Sequence, residues 1–105
     1  MNLESSILQQ IRLAAAPAVL FRNNSGSYMK DGYFIRYGVG QPGGSDLIGW
    51  TTRNGIAVFT AIEVKTATGR VSPEQENFIN VVRRAGGIAG IARSVEDARR
   101  IIRGL

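Results

Sequence analysis

Three segments of the chain space their apolar residues three and four positions apart, as amphipathic helices do. The first segment is followed by Pro17 and predicts a helix over about residues 2–15. The second opens at Ser72, which is followed by a proline and, three residues after the serine, by Gln75 as in a capping box. The third opens with a Ser-x-x-Asp pair and runs to about Arg103.

Short apolar runs between these helices predict strands at residues 19–21, 46–50, 56–66 and 88–92. The dipeptide Asn54-Gly55 separates two of these runs and is the strongest short-range hairpin signal in the chain. Residues 22–44 are rich in glycine, asparagine and serine but also hold several aromatic side chains, so we expect an ordered loop with some extended structure. The predicted order is therefore αβββαβα, an α/β fold.

The composition narrows the possible chemistry. A chain of 105 residues with 44% hydrophobic content fits a single domain over residues 1–105. It has neither cysteine nor histidine, which excludes disulfide bonds, thiolate chemistry and every mechanism that needs an imidazole. Any catalysis must use carboxylates, lysine or a hard metal ion, and we expect no organic cofactor. Residues 1–17 include Glu4 and Arg12 and no long apolar run, so we expect no signal peptide or membrane span, and a soluble cytoplasmic protein.

The charge balance favours a polyanionic partner. The 13 lysines and arginines outnumber the eight acids and give a formal net charge of +5. This alone is weak support, because many basic domains bind no polyanion. It gains weight because three of the eight acids, Glu4, Asp46 and Glu63, fall in the group of candidate site residues.

The predicted two-residue turn fixes which residues face each other across the central hairpin. Arg53 lies opposite Ile56, and counting back along both strands places Asp46 opposite Glu63. Directly opposed residues of an antiparallel pair have Cβ atoms roughly 4.5–5.5 Å apart, so we expect two carboxylates to meet. One bulge in either strand would break this pairing.

Two carboxylates in contact repel each other unless a cation offsets their charge. Hard oxygen ligands bind Mg²⁺, and Lys65 points to the same face as Glu63 because it lies two residues further along the strand. A carboxylate pair, a lysine and a divalent metal are typical of phosphodiester hydrolysis. The alternative is that Glu63 and Lys65 are ordinary exposed strand residues and that Asp46 is a turn acid. The apolar neighbours of Glu63 argue against it, because unpaired charge is costly in a buried strand.

Three stretches carry a family resemblance: Gly-Gly-Ser-Asp-Leu-Ile-Gly at residues 43–49, Ala-Ile-Glu-Val-Lys-Thr at 61–66 and Gly-Arg-Val-Ser-Pro-Glu-Gln-Glu at 69–76. Together they resemble the virus-type replication-repair nuclease family, VRR-NUC, and the likeness runs from Arg22 to about Ala98. The resemblance implies a restriction-endonuclease-like, PD-(D/E)XK fold with a mixed central sheet flanked by helices. It also implies dependence on Mg²⁺ or Mn²⁺ and cleavage of phosphodiester bonds in DNA.

The resemblance also implies roles for individual residues. Asp46 and Glu63 would be metal ligands together with the carbonyl group of Val64. Lys65 would be the catalytic lysine. Gln75 matches a glutamine that the family places close to the catalytic site. The capping box explains Gln75 equally well, and the two roles do not exclude each other.

Residues outside the three stretches are candidates as well. Glu4 resembles the acid that PD-(D/E)XK enzymes often carry on the first helix, where it reaches the metal directly or through water. The alternative is a favourable position in a helix first turn, and we expect its side chain on the inward, apolar face. Four arginines in or beside the loops expected near the site either bind DNA phosphates or form a solvated basic surface: Arg22, Arg36, Arg53 and Arg70.

The expected assembly follows from the small size of the domain. One copy offers one active site, whereas two copies related by a twofold axis present two sites to two strands. Stand-alone, phage-type members of the family resembled are dimeric in this sense. We therefore expect a homodimer that cuts branched DNA, with a four-way (Holliday) junction preferred and an interface on residues 28–37 or the first helix. The alternatives are a monomer that nicks flaps or duplex nonspecifically, and a DNA-binding or scaffold domain that has lost the chemistry.

Overall fold

The computed structural model describes residues 3–104. Its elements in chain order are α1 (Leu3–Leu13), β1 (Ala18–Arg22), β2 (Gly26–Lys30), β3 (Tyr33–Tyr37), β4 (Leu47–Arg53), β5 (Ile56–Val64), α2 (Pro73–Arg84), β6 (Ile88–Ala92) and α3 (Val95–Arg103). All the predicted helices and strands are present. The predicted start of the first helix at residue 2 lies outside the described residues, and α1 ends slightly earlier than expected.

The central sheet is mixed and has the strand order β1-β4-β5-β6. β4 pairs antiparallel with both β1 and β5, whereas β5 and β6 run parallel. Across the β4–β5 hairpin Arg53 lies opposite Ile56 and Leu47 lies opposite Ile62 without a bulge, so the predicted register is confirmed. β5 is therefore a central strand, and its last residues, 60–64, are all buried.

Helices cover both faces of this sheet. α1 and α3 pack on one face, where Leu47 and Ile62 are fully buried. α2 packs on the other face through Ile79 and Val82 against Ala61. The restriction-endonuclease-like arrangement of a mixed sheet flanked by helices is thus confirmed. None of the helices within residues 3–104 is long and apolar enough to cross a membrane.

The segment expected to be a loop contains a second, two-stranded sheet. β2 and β3 form an antiparallel hairpin and pair only with each other. At its turn Asp31 and Gly32 have φ values of 50° and 79°, the left-handed pair that a type I′ hairpin turn requires. Every residue of β2 is exposed. The loop prediction was incomplete because a ribbon without a buried face lacks the apolar–polar alternation by which strands are recognised.

Candidate active site

Two carboxylates meet at the end of the β4–β5 hairpin that is remote from its turn. β5 carries Glu63 to this end on the face covered by α2, and the residue is only 2% exposed. Asp46 stands immediately before β4, and its Oδ2 accepts a hydrogen bond of 2.8 Å from the backbone N–H of Val64. Asp46 also contacts Glu63, as the register predicts, although it does so from the loop and not from within the strand.

Close packing fixes the loop that leads into Asp46. Gly43 has a φ of 92°, and a Cβ atom there would collide with the backbone of Glu74 in α2. A Cβ atom at Gly44 would collide with the carbonyl oxygen of Val39. Glycine is therefore required at both positions for the loop to pass between these two segments of backbone.

Asn23 ties the same loop to the end of β1. Its buried Nδ2 donates hydrogen bonds to the carbonyl oxygens of Val39 and Ser45, both at 2.9 Å, and its Oδ1 accepts from the N–H of Val39 at 3.0 Å. Its backbone N–H donates to the carbonyl oxygen of Asp46 at 2.8 Å. Asn23 is thus a positioning residue for Asp46. Its role was not predicted, because its partners are 16 and 22 residues away in the sequence.

Glu63 is poorly suited to carry a charge without further help. Its pKa is raised to about 9, first by burial and then by the hydrogen bonding and charge of Asp46, while Lys65 acts in the opposite direction. In the ionised form, its buried Oε1 accepts no hydrogen bond from any donor among residues 3–104. An unpartnered oxygen beside a second carboxylate fits a hard divalent cation, which would satisfy the oxygen and favour the ionised form. The described residues contain no convergent set of three acids, so side chains would supply two ligands.

Lys65 lies on the same side of the sheet as Glu63. Its Nζ is 3.9 Å from Oε2 of Glu63, and its side chain is 15% exposed. This distance permits electrostatic attraction but is too long for a hydrogen bond, so the ammonium group keeps its donors for a third partner. The backbone N–H of Lys65 donates to the carbonyl oxygen of Ala92 at 3.0 Å, which extends the β5–β6 pairing to this residue.

Gln75 takes part in the cap of α2 and also contacts Glu63. Its Oε1 accepts from the N–H of Ser72 at 2.9 Å, and its own N–H donates to Oγ of Ser72 at 3.1 Å, so the predicted capping box is confirmed. Its Nε2 then lies 3.4 Å from Oε2 of Glu63 and donates a hydrogen bond to it. Because the cap holds one end of the amide, the other end is directed at the carboxylate pair.

A polar cavity opens beside these residues. It has a volume of about 370 Å³, and its lining includes Arg36, Asp46 and Gln75. A larger groove of about 520 Å³ lies around Phe59 and Val81 towards the other end of α2, but its lining holds no titratable side chain. Of the candidate site residues, Asp46, Gln75 and Arg36 line the polar cavity, whereas Glu63 and Lys65 are not part of its lining.

The four arginines predicted to bind DNA do not lie together. Arg36 lines the polar cavity. Arg22 is the last residue of β1 and lies at the same end of the sheet as Asp46, and Arg70 is exposed in the loop that leads to α2. Arg53 lies at the other end of β4, about 20 Å away, and its guanidinium donates to the carbonyl oxygen of Ile102. The expected position of Arg53 beside the site is wrong, because the antiparallel hairpin carries its turn to the opposite end of the sheet.

Glu4 also differs from its expected placement. α1 buries Leu8 and Ile11, but the side chain of Glu4 is exposed and does not point inward. Its charge is the weakest of the influences that raise the pKa of Glu63. Glu4 is therefore close enough to affect the site electrostatically, although it does not line the polar cavity.

Arg93, the residue after β6, supports the site, and its role was not predicted. Its Nη1 donates to the carbonyl oxygens of Thr66 at 2.6 Å and Gly69 at 2.8 Å, which holds the loop that follows Lys65. An arginine that binds carbonyl groups more than 20 residues away has no local sequence signal.

Comparison with known families agrees with this geometry. The model of the VRR-NUC domain matches residues 6–96, a segment that contains Asp46, Glu63, Lys65 and Gln75. No curated protein and no solved structure matches the chain. A VRR-NUC domain indicates a nuclease, a hydrolase with DNA as its substrate. Since the match covers most of the sequence, the chain belongs to the VRR-NUC domain family.

Proposed function

We propose that the protein is a Mg²⁺-dependent DNA endonuclease in which Mn²⁺ can replace Mg²⁺. The observation that carries the proposal is the buried, unpartnered Oε1 of Glu63, which lies beside the carboxylate of Asp46 and near the ammonium group of Lys65. Such an arrangement is costly in an otherwise well-packed strand unless it binds a cation.

Each side chain has a distinct task in the proposed reaction. Asp46 and Glu63 hold the cation, with the carbonyl group of Val64 as a third ligand. When bound, the cation supplies a Lewis acid for the scissile phosphate and lowers the pKa of a water molecule. Lys65 orients the attacking water or stabilises the charge that develops on the phosphate. Gln75 donates to Oε2 of Glu63, so that Oε1 would be free to coordinate the cation.

We further propose that the protein acts as a homodimer on branched DNA, with a four-way junction as the preferred substrate. One copy carries one carboxylate pair, whereas paired cuts in two strands need two sites related by a twofold axis. Arg36 lines the polar cavity, and Arg22 lies at the same end of the sheet as Asp46, which supports phosphate binding there. Arg70 is exposed in the loop between Lys65 and α2 and can contribute to the same surface.

A plasmid that extrudes a cruciform tests both parts of the proposal. With Mg²⁺, a dimer that makes paired cuts should give linear DNA directly, and light scattering should report the mass of two chains. Without a divalent ion, no cutting is expected. Asp46→Asn should abolish cleavage, whereas Glu96→Gln should not, because Glu96 only forms a surface ion pair with Arg99.

The two alternative functions give different results in the same assay. Nicked circles produced by a species with the mass of one chain would indicate a monomeric nicking enzyme and overturn the dimer proposal. Tight DNA binding without cleavage in Mg²⁺ or Mn²⁺ would indicate a binding domain and overturn the enzymatic proposal.

A further inference from the structure

The β2–β3 hairpin has two chemically different faces. Strand pairing places alternate residues together, so that Tyr28, Tyr33 and Tyr37 share one face. The rings of Tyr28 and Tyr37 are 6.3 Å apart on that face. Phe34 and Arg36 lie on the opposite face. Both faces are largely exposed, so the aromatic residues of the hairpin are not explained by the core.

The Phe34–Arg36 face is continuous with the candidate active site. Arg36 lines the polar cavity that contains Asp46 and Gln75. It also lines a neighbouring cavity of about 350 Å³, whose wall includes Phe34 and Pro42. A DNA strand whose phosphate reaches the carboxylate pair would therefore extend along Arg36 towards Phe34.

Arg36 and Phe34 are arranged as a cationic and aromatic pair. The guanidinium of Arg36 lies 5.6 Å from the centre of the Phe34 ring, and Phe34 is 60% exposed. Arg36 belongs to none of the ion pairs within residues 3–104, so its charge is available. An unpaired arginine held against an exposed aromatic ring suits a nucleic acid, because phosphates bind the guanidinium and unpaired bases stack on rings.

We propose that this face of the hairpin recognises the branch point of the DNA substrate. Arg36 binds the phosphate next to the scissile group, and Phe34 stacks on a base face that is open where the double-helical stack is interrupted. A continuous duplex offers no open base face, so this contact favours branched over linear DNA. The proposal rests on DNA being the substrate and adds the residues that select its structure.

Binding measurements in Ca²⁺, which should support binding but not cutting, test the proposal without depending on catalysis. Fluorescence anisotropy would compare a four-way junction with a continuous duplex of the same sequence. Phe34→Ala should weaken junction binding about tenfold and duplex binding much less, since one stacked base is lost. Phe34→Trp should retain the preference. Tyr33→Ala, on the opposite face, is the matched control and should leave the preference unchanged.

Two further readouts separate stacking from charge and from protein contacts. A 2-aminopurine base at the branch point should be quenched on binding the parent and not Phe34→Ala. Arg36→Met should weaken binding to both DNAs and reduce the salt slope by about 1. An equal loss for junction and duplex with Phe34→Ala would overturn the proposal. So would a change in oligomeric mass with unchanged DNA affinity, which would assign this face to a contact between copies.

The failure of this inference is distinguishable from the failure of the proposed function. If Phe34→Ala binds the junction as the parent does while the parent cuts DNA in Mg²⁺, only the branch-recognition surface is disproved. If the parent prefers junctions through Phe34 but never cuts, the recognition surface stands and the enzymatic proposal falls.

Discussion

At the scale of single residues, Glu63 carries an electrostatic cost that its neighbours offset only in part. Burial and Asp46 both disfavour its ionised form, and the ammonium group of Lys65, which favours it, is 3.9 Å away. A buried carboxylate of this kind reduces the stability of the protein and is retained where it is needed for function. This cost should therefore appear as a lower free energy of unfolding of the metal-free protein.

The first prediction concerns stability and pH. The folded-state pKa of Glu63, about 9, lies above the ordinary value of 4.5, so the folded protein retains a proton that the unfolded chain releases between these pH values. The contribution of Glu63 to the free energy of unfolding of the metal-free protein should be highest below about pH 4.5 and should fall as the pH rises towards 9. Glu63→Gln should flatten this dependence and raise the melting temperature at pH 8.

Thermal denaturation at several pH values measures the effect. Adding Mg²⁺ at pH 8 should stabilise the parent, because the ion binds the folded state, and should stabilise Glu63→Gln much less. A parent and variant with parallel pH profiles would contradict the environment assigned to Glu63.

The second prediction concerns Lys65. Lys65→Met should lower kcat by about a hundredfold or more, because a preorganised cation near the reacting phosphate acts mainly on the transition state. Affinity for DNA in Ca²⁺ should change little. Single-turnover cleavage and anisotropy measure the two effects separately. Unchanged turnover with weakened binding would instead make Lys65 a phosphate clamp.

At the scale of elements, the capping box at the start of α2 contains Gln75, which also contacts Glu63. The third prediction uses its capping box. Ser72→Ala and Gln75→Ala should each destabilise the protein by about 1 kcal/mol, because each removes one capping hydrogen bond. Only Gln75→Ala also removes the contact with Glu63, so only this variant should lose cleavage activity beyond its loss of stability. Urea denaturation and cleavage rates at a temperature where both variants are folded make the comparison.

Equal activity of the two variants would reduce Gln75 to a capping residue. Equal loss of activity in both would show that the position of α2, and not the amide of Gln75, determines the rate.

Local signals were sufficient to predict much of this arrangement. The Asn54-Gly55 turn set the β4–β5 register, and the register brought Asp46 to Glu63. The capping box predicted the start of α2. Both inferences depend on residues that are close in sequence or connected by one regular hairpin. In such a hairpin, strand geometry determines which residues face each other.

The features of the site that were missed or misplaced depend on contacts that no local sequence pattern encodes. Asn23 acts on residues 39 and 45 through hydrogen bonds of its buried side chain. Arg53 was expected at the wrong end of the sheet, because its position beside a loop does not specify at which end of the strand that loop lies. Glu4 has the same helical spacing as the apolar residues of α1, but its side chain is exposed. The first turn of a helix can project past the surface on which the rest of the helix packs.

At the scale of the whole molecule, the net charge of +5 predicts salt-sensitive DNA binding. If Arg22, Arg36 and Arg70 of each copy neutralise one phosphate each, the affinity per copy should fall about fortyfold between about 50 and 200 mM salt. Arg36→Met should make the response less steep, whereas Arg84→Met, on the exposed end of α2, should not. Anisotropy titrations at four salt concentrations measure the slope, and a flat response would contradict electrostatic binding.

The bonds between Asn23 and Val39 have a consequence for how such a protein can change over evolution. They hold together the two points at which the hairpin leaves and rejoins the chain. The ribbon between them can therefore be lengthened, shortened or exchanged while its ends stay at a fixed separation. Asp46, which is tied to Asn23 independently, keeps its place during such exchanges. If the hairpin selects the DNA structure as proposed, substrate preference can then diverge between lineages while Asp46 and Glu63 remain in place.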